Sequence, residues 1–381
     1  MRAAYAIATV LLVTTALAGA GAAPVAGAQP TAASSVTGHA VDGAAVQQTG
    51  VSGADACEFP VELTDATGTT VALDEPPERI TTTNPSAAQT LWEIGARDRV
   101  VGVTQFAAYL DGADEKTDVS AEGLGVSVER VVDTDPDLVL APNASADQVA
   151  DLREQNLTVY HFSEATSIDD IAAKTERTGR LVGDCEAAAA TNDEMNAAVA
   201  DVENRTADLD RPAALYPLGD GFVAGGNTFI DEIMRVGGTD NVAAAEGDGY
   251  PQLSNEVILR TDPELILVTD PEASILDEEP YASTTAGVEG NYVEMNANHL
   301  NQPAPRSAIE ATETLAAAVE ELDRDDGEAS NDGEASNDGE ASNDGEASND
   351  GENGSRSQAP GFGVVTALIG TLAATLIARR R

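Results

Sequence analysis

The residues able to carry covalent chemistry are few in this chain and are not spaced to act together. Nucleophilic catalysis needs a serine or cysteine served by a histidine and an orienting group. The three histidines, His39, His161 and His299, are scattered, and neither Cys57 nor Cys185 stands beside one. There is no Gly-x-Ser-x-Gly elbow and no phosphate-cradling Walker loop. Asp and Glu number 66, so a pair of carboxylates carries no information about catalysis. Gly219-Asp220-Gly221 and Gly225-Gly226 read as turns that let backbone approach a ligand or close a strand. The expectation is a protein that is not an enzyme. A metal site is not expected either. Zinc or manganese capture takes several histidines with a carboxylate, whereas His39 falls in a leader and His161 ends a predicted strand, leaving His299 alone.

Binding chemistry remains. Aromatic residues make up only 4% of the chain, yet several fall just after predicted strands. The candidate ligand contacts are Asn84, Phe106, Tyr109 and Asn143 in one half, and Tyr216, Phe222, Tyr250, Asn298 and His299 in the other. Flat apolar walls with a few side-chain donors suit a broad, largely apolar ligand.

The elements that position these residues come in two copies. SVERVVDTDPDLVL (127–140) and SNEVILRTDPELIL (254–267) align at an offset of 127, with Glu129 on Glu256 and Thr134-Asp135-Pro136 on Thr261-Asp262-Pro263. Each copy predicts a short amphipathic helix, a proline turn and a strand apolar at every position (138–141 and 265–269). Such a strand is buried on both faces, which means a parallel sheet covered by helices. Each copy is preceded by a strand (79–83, 213–216) and a helix ending at glycine (Gly95, Gly237-Gly238). The fold class is therefore α/β: two lobes, each a parallel-sheet βαβ sandwich. Between them, Ser167 and Asp170 form a capping box, Gly179 and Gly183 are expected to break the segment, and a single long alanine-rich helix is expected from 184 to about 208. The expected divisions are an N-terminal lobe over 57–166, an inter-lobe segment over 167–209 and a C-terminal lobe over 210–323. Two lobes joined by one stiff helix should move little.

Charge and the two ends set the surroundings. Acids outnumber bases 66 to 20, for a net charge of −46 in 381 residues, and only Lys116 and Lys174 among the bases are lysines. The stretch 325–354 holds 11 of the acids and no base, so most of the excess lies on the body. Self-repulsion of this size destabilises a compact chain in dilute buffer, but the Debye length falls to about 3 Å at 1 M salt. The composition reads as that of an extreme halophile, and it excludes nucleic acid as a partner.

Residues 1–28 read as a secretory signal peptide: Arg2, an apolar run over 7–18 and Ala26-Gly27-Ala28. Residues 29–56 read as a flexible leader. At the other end, 324–359 is an acidic spacer built on Asp-Gly-Glu-Ala-Ser-Asn repeats, too polar to fold. Residues 360–381 hold Pro360, Gly361 and Phe362, an apolar stretch and three terminal arginines. Such an end places the body on the extracellular face of the membrane, as a plain membrane helix would also do. Two cysteines fit an oxidising exterior, and a Cys57–Cys185 disulfide is expected. Sequons at Asn143, Asn156, Asn204 and Asn353 permit glycosylation.

Three stretches resemble the helical-backbone class of ABC-transporter substrate-binding proteins: 79–95, 129–140 and 250–256, the last closest to cobalamin-binding members. The end at 360–381 resembles the Pro-Gly-Phe sorting signal of archaeal surface proteins, in which a membrane protease replaces the helix with a lipid. The first resemblance implies that the protein captures cobalamin, as a transported ligand and not a cofactor, and delivers it to an ABC permease with a separate ATPase subunit. A ferric siderophore or haem is the alternative cargo, although Arg79 and Arg306, the available partners for an anionic siderophore, look structural. A surface structural or adhesion protein is the second alternative. The class docks on its permease through an acid on the first helix of each lobe. That places docking on Asp231 or Glu232 in lobe two and, since Gln89 occupies the matching position, on Glu93 in lobe one.

Overall fold

The computed structural model describes residues 57–123, 125–269 and 274–334. The expected signal peptide, leader, sorting signal and all but the start of the spacer lie outside them.

The first lobe opens with an antiparallel hairpin, β1 (Val61–Thr64) and β2 (Thr70–Leu73). β3 (Ile80–Thr82), α1 (Pro85–Glu93), β4 (Val100–Val103), β5 (Thr117–Asp118), α2 (Val128–Asp133), β6 (Leu138–Ala141), α3 (Ala146–Glu154) and β7 (Val159–His161) follow. Its five-stranded sheet has the order β5-β4-β3-β6-β7 and is parallel throughout. β6 is buried at all four positions, as its unbroken apolar run requires.

After two helices between the lobes, α4 (Ile168–Val182) and α5 (Cys185–Thr206), the second lobe contains β8 (Ala213–Leu215), the hairpin β9 (Pro217–Gly219) and β10 (Phe222–Val223), α6 (Phe229–Val236), β11 (Asp240–Asn241), α7 (Asn255–Thr261), β12 (Leu265–Val268), α8 (Thr285–Glu289), β13 (Tyr292–Glu294), α9 (Ala297–Leu300) and α10 (Pro305–Glu334). Its parallel sheet runs β11-β8-β12-β13.

The repeat is structural. Ser127 and Ser254 cap α2 and α7, accepting from the backbone N–H of Arg130 and Val257. Asp135 and Asp262 both take left-handed backbone ahead of their prolines. Asp137 and Glu264, again at one offset, anchor the preceding strand: Asp137 accepts from the N–H of Glu78 and Arg79, and Glu264 from that of Ala213.

The inter-lobe segment is two helices, α4 (Ile168–Val182) and α5 (Cys185–Thr206), with Ser167 capping the first by accepting from Asp170 N–H. Gly183 ends α4 in the left-handed conformation. Gly179 does not break it. Its missing side chain lets α5 approach, since a Cβ there would sit 2.5 Å from that of Ala188. At 1.5 Å per residue the 22 residues of α5 span about 33 Å. The Cys57–Cys185 disulfide is present and ties the start of the described chain to the start of α5. α10 runs on to Glu334, into the acidic repeat expected as the spacer. Extending a helix already docked on the core costs far less than nucleating one.

Candidate functional site

Sheet order dictates where a ligand can sit. In the first lobe successive strands depart on opposite sides of β3, and such a reversal opens a crevice at the strand carboxyl ends. Asn84 follows β3 and Asn143 follows β6, one on each side of it. Thr83 joins the two exits: its N–H donates to Leu140 O (3.1 Å) and its hydroxyl to Ser145 Oγ (2.7 Å). The second lobe reverses between β8 and β12, and the β9–β10 hairpin carries Leu218 and Phe222 out from there. Beyond it, Gly225 and Gly226 run against 247–249, with Gly225 N–H donating to Gly249 O and Gly249 N–H to Gly226 O (both 2.8 Å). A Cβ on Gly225 would lie 2.3 Å from Gly247 O, so the close approach that brings Tyr250 to the cleft requires glycine.

The resulting cleft encloses about 890 Å³. Asn84, Ser86 and Asn143 line it from the first lobe, and Leu218, Phe222, Phe229 and Tyr250 from the second. The loop 300–303 and Lys174 of α4 complete it, and its acids are Glu164 and Asp248. Tyr250 is 53% exposed, a phenol ring offered to the cleft.

Of the nine ligand contacts expected from sequence, Asn84, Asn143, Phe222 and Tyr250 line this cleft, and the other five do not. Phe106 lies on a short turn after β4 and is exposed away from the lining. Tyr109 packs on the first-lobe core and donates to Gln89 Oε1 (2.6 Å). Tyr216 is buried in the second-lobe core. Asn298 and His299 sit on the four-residue α9, whose Leu300 alone reaches the lining. Of these five, Tyr109 and Tyr216 are taken up by the lobe cores, which nearness to a strand end does not foresee.

Beneath the cleft the lobes meet through buried polar groups. Gln89 Nε2 donates to Ser307 Oγ (3.1 Å), and Arg306 N–H donates to Glu93 Oε2 (3.1 Å), with the Arg306 guanidinium 3.6 Å from the other oxygen. Burial pushes the Glu93 carboxyl up to about 7. The Glu93 side chain is 9% exposed. This residue, expected as a docking acid, is thus held against the start of α10. In lobe two, Asp231 accepts from Asn227 N–H and Asn241 Nδ2, and Glu232 is paired with Arg235 at 2.8 Å. Arg79 serves the backbone, donating to Asp135 O (2.7 Å) and Thr134 O.

Lys174 gave no signal in the sequence. It is 4% exposed and donates to Pro303 O (2.5 Å) and Ser86 Oγ (3.3 Å), so it touches both lobes from the helix that joins them. Burial pushes its ammonium down to about 8, partly offset by the Glu93 charge. Among the described residues no cluster of His, Cys, Asp and Glu is arranged to hold a metal ion.

Comparison with known proteins adds an independent line. A family described as periplasmic binding protein matches residues 80–298, and the PGF-CTERM motif matches 359–381. The chain is 47% identical over 339 residues to a cobalamin-binding protein of Halobacterium salinarum, covering 85% of this chain and 90% of that one. It is 24% identical to a vitamin B12-binding protein of Vibrio parahaemolyticus, over 61% of this chain and 86% of the relative. Among solved structures, the periplasmic vitamin B12 binding protein BtuF of Vibrio cholerae superposes with a TM-score of 0.56 at 24% identity, covering 64% of this chain and 97% of its own. The periplasmic heme-binding protein RhuT from Roseiflexus sp. RS-1 does so at 0.57 and 22%, covering 64% and 99%.

Proposed function

The chain belongs to the periplasmic binding protein family, and on that premise we propose that it captures a corrinoid outside the membrane and delivers it to an ABC permease. The observation that carries this reading is a cleft that combines flat apolar rings with amides. The second lobe offers the rings of Phe222, Phe229 and Tyr250, and amides come from both sides, Asn84 and Asn143 from the first lobe and Asn301 and Gln302 from the second. A corrin ring is a broad apolar plate edged with amides, so the rings suit its face and the amides its rim. The name of the Halobacterium salinarum relative supports the same cargo.

ATP hydrolysis belongs to a separate subunit, since the chain has no Walker loop. Docking in lobe two falls to Glu232, the acid of α6 held by an ion pair and not by capping contacts. The motif over 359–381 supports anchoring at the cell surface, where a lipid replaces the terminal helix. A glycan on Asn143 would fill the cleft, so that sequon stays unmodified in a working protein.

Calorimetric titration with cyanocobalamin in molar KCl tests the reading. The expected result is one site with a Kd of about 1 μM or tighter; a folded protein that gives no binding heat at several temperatures sinks it. One feature favours a second reading, haem: Tyr250 places a phenol in the cleft, and tyrosine is among the residues that ligate haem iron. Competition between haemin and cyanocobalamin separates the two.

A further inference from the structure

We propose that Lys174 and Ser86 form an anion subsite at the floor of the cleft, and that it takes the phosphodiester of the ligand's nucleotide arm. This rests on the corrinoid reading and deepens it.

Lys174 is a buried charge that its surroundings do not balance. An ammonium carries three N–H donors. Two of those of Lys174 meet neutral oxygens, Ser86 Oγ and Pro303 O, and no carboxylate among the described residues lies within ion-pair distance. The charge it feels most is that of Glu93, which is already engaged by Arg306. A buried cation with only neutral partners costs free energy unless something compensates it. The chain has only two lysines, and one of them is buried here in the lining of the cleft.

The neighbouring groups favour an anion too. Ser86 lies in the first turn of α1, which has no acid there and so presents the positive end of its dipole. The acids of the lining, Glu164 and Asp248, would repel an anion and leave the Lys174 floor as its favourable place.

A complete corrinoid offers a matching group. Its ring periphery carries neutral amides, and its nucleotide arm carries one phosphodiester with a single negative charge. The salt of the medium strengthens the case. At molar ionic strength an exposed arginine loses its reach, whereas a buried ammonium is screened far less. A halophilic binding protein that selects by charge has to do so from a buried position.

Calorimetry in molar KCl at neutral pH with two probes, cobinamide and cobinamide phosphate, tests the subsite. The wild type is expected to bind the phosphate-bearing probe about tenfold tighter or more, as a charge-assisted contact implies. Lys174→Met should abolish that preference, read as the ratio of the two affinities, and Lys174→Arg should keep part of it. Equal affinities of the wild type for both probes would overturn the subsite, as would a Lys174→Met protein weakened equally toward both, since Lys174 would then only hold the 300–303 loop. Should Lys174→Met fail to fold, the wild-type comparison decides alone. A wild type that binds no corrinoid would bring down the cargo assignment and the subsite together, whereas binding without preference would bring down the subsite only.

Discussion

Glu93 has an ordinary carboxyl value of 4.5 that burial raises to about 7. Below the first value both folded and unfolded chains hold the proton, and above the second both have lost it. Between them the folded chain holds a proton that the unfolded chain has released. Stability from this group therefore falls as pH rises through that window, by up to about 3 kcal/mol. Glu93→Gln removes the titration. Urea midpoints in molar salt should show the wild type losing ground to the variant from about pH 4.5 to 7 and running parallel outside that range. A difference constant with pH would contradict the placement of Glu93 between the lobes. Tyr250 makes the opposite kind of prediction. Half exposed, it contributes little to folding, so Tyr250→Ala should leave the thermal midpoint within about 2 °C while weakening corrinoid binding about tenfold to a hundredfold. Unchanged affinity would remove the ring from the site. These two residues also mark how far the sequence could be read. Asn84, Asn143, Phe222 and Tyr250 were reachable because strand ends and glycine turns announce themselves. Lys174 was not, because a lysine in a polar helix reads as solvated, and only packing of both lobes on α4 buries it.

Helices α4 and α5 separate what local sequence signals from what only packing explains. The capping Ser167, the left-handed Gly183 and the alanine-rich run of α5 were all legible, since each signals through local backbone chemistry. The role of Gly179 was not, because its reason is Ala188 on the next helix. An alanine ordinarily gains about 1 kcal/mol over glycine inside a helix. Here the added methyl would meet Ala188 Cβ at 2.5 Å with Asp184 O at 3.1 Å, so overpacking wins. Gly179→Ala should cost about 1–2 kcal/mol net, seen as a thermal midpoint lower by several degrees; a stabilised variant would refute the close crossing. The disulfide acts on the same hairpin from its end. Cys57→Ser with Cys185→Ser should cost about 2–5 kcal/mol, with corrinoid affinity kept because the bond lies outside the cleft lining. The buried strands β6 and β12 were the most legible elements of all, each an unbroken apolar run that only a covered parallel sheet accommodates.

Charge governs the molecule as a whole. With 46 excess negative charges the chain repels itself, and pairs such as Arg97–Asp98 are too exposed to offset that. The thermal midpoint should rise steeply between about 0.1 M and molar KCl, as the Debye length falls from about 10 to 3 Å; a midpoint indifferent to salt would contradict the halophilic reading. The two-lobe plan came from the repeat, whose partners Asp135 and Asp262, and Asp137 and Glu264, do the same work in each half. What the repeat could not supply was the contact between the halves, which joins α1 to the start of α10 and has no counterpart in either copy. The proposed site is one groove, lined by Phe222 and Tyr250 and by amides from both lobes. The most direct measurement is a crystal structure grown in molar salt with cyanocobalamin. The corrin is expected between Tyr250 and the amides of Asn84 and Asn143, touching both lobes; a ligand bound elsewhere, or a groove left empty by a ligand that binds in solution, would contradict the proposed site.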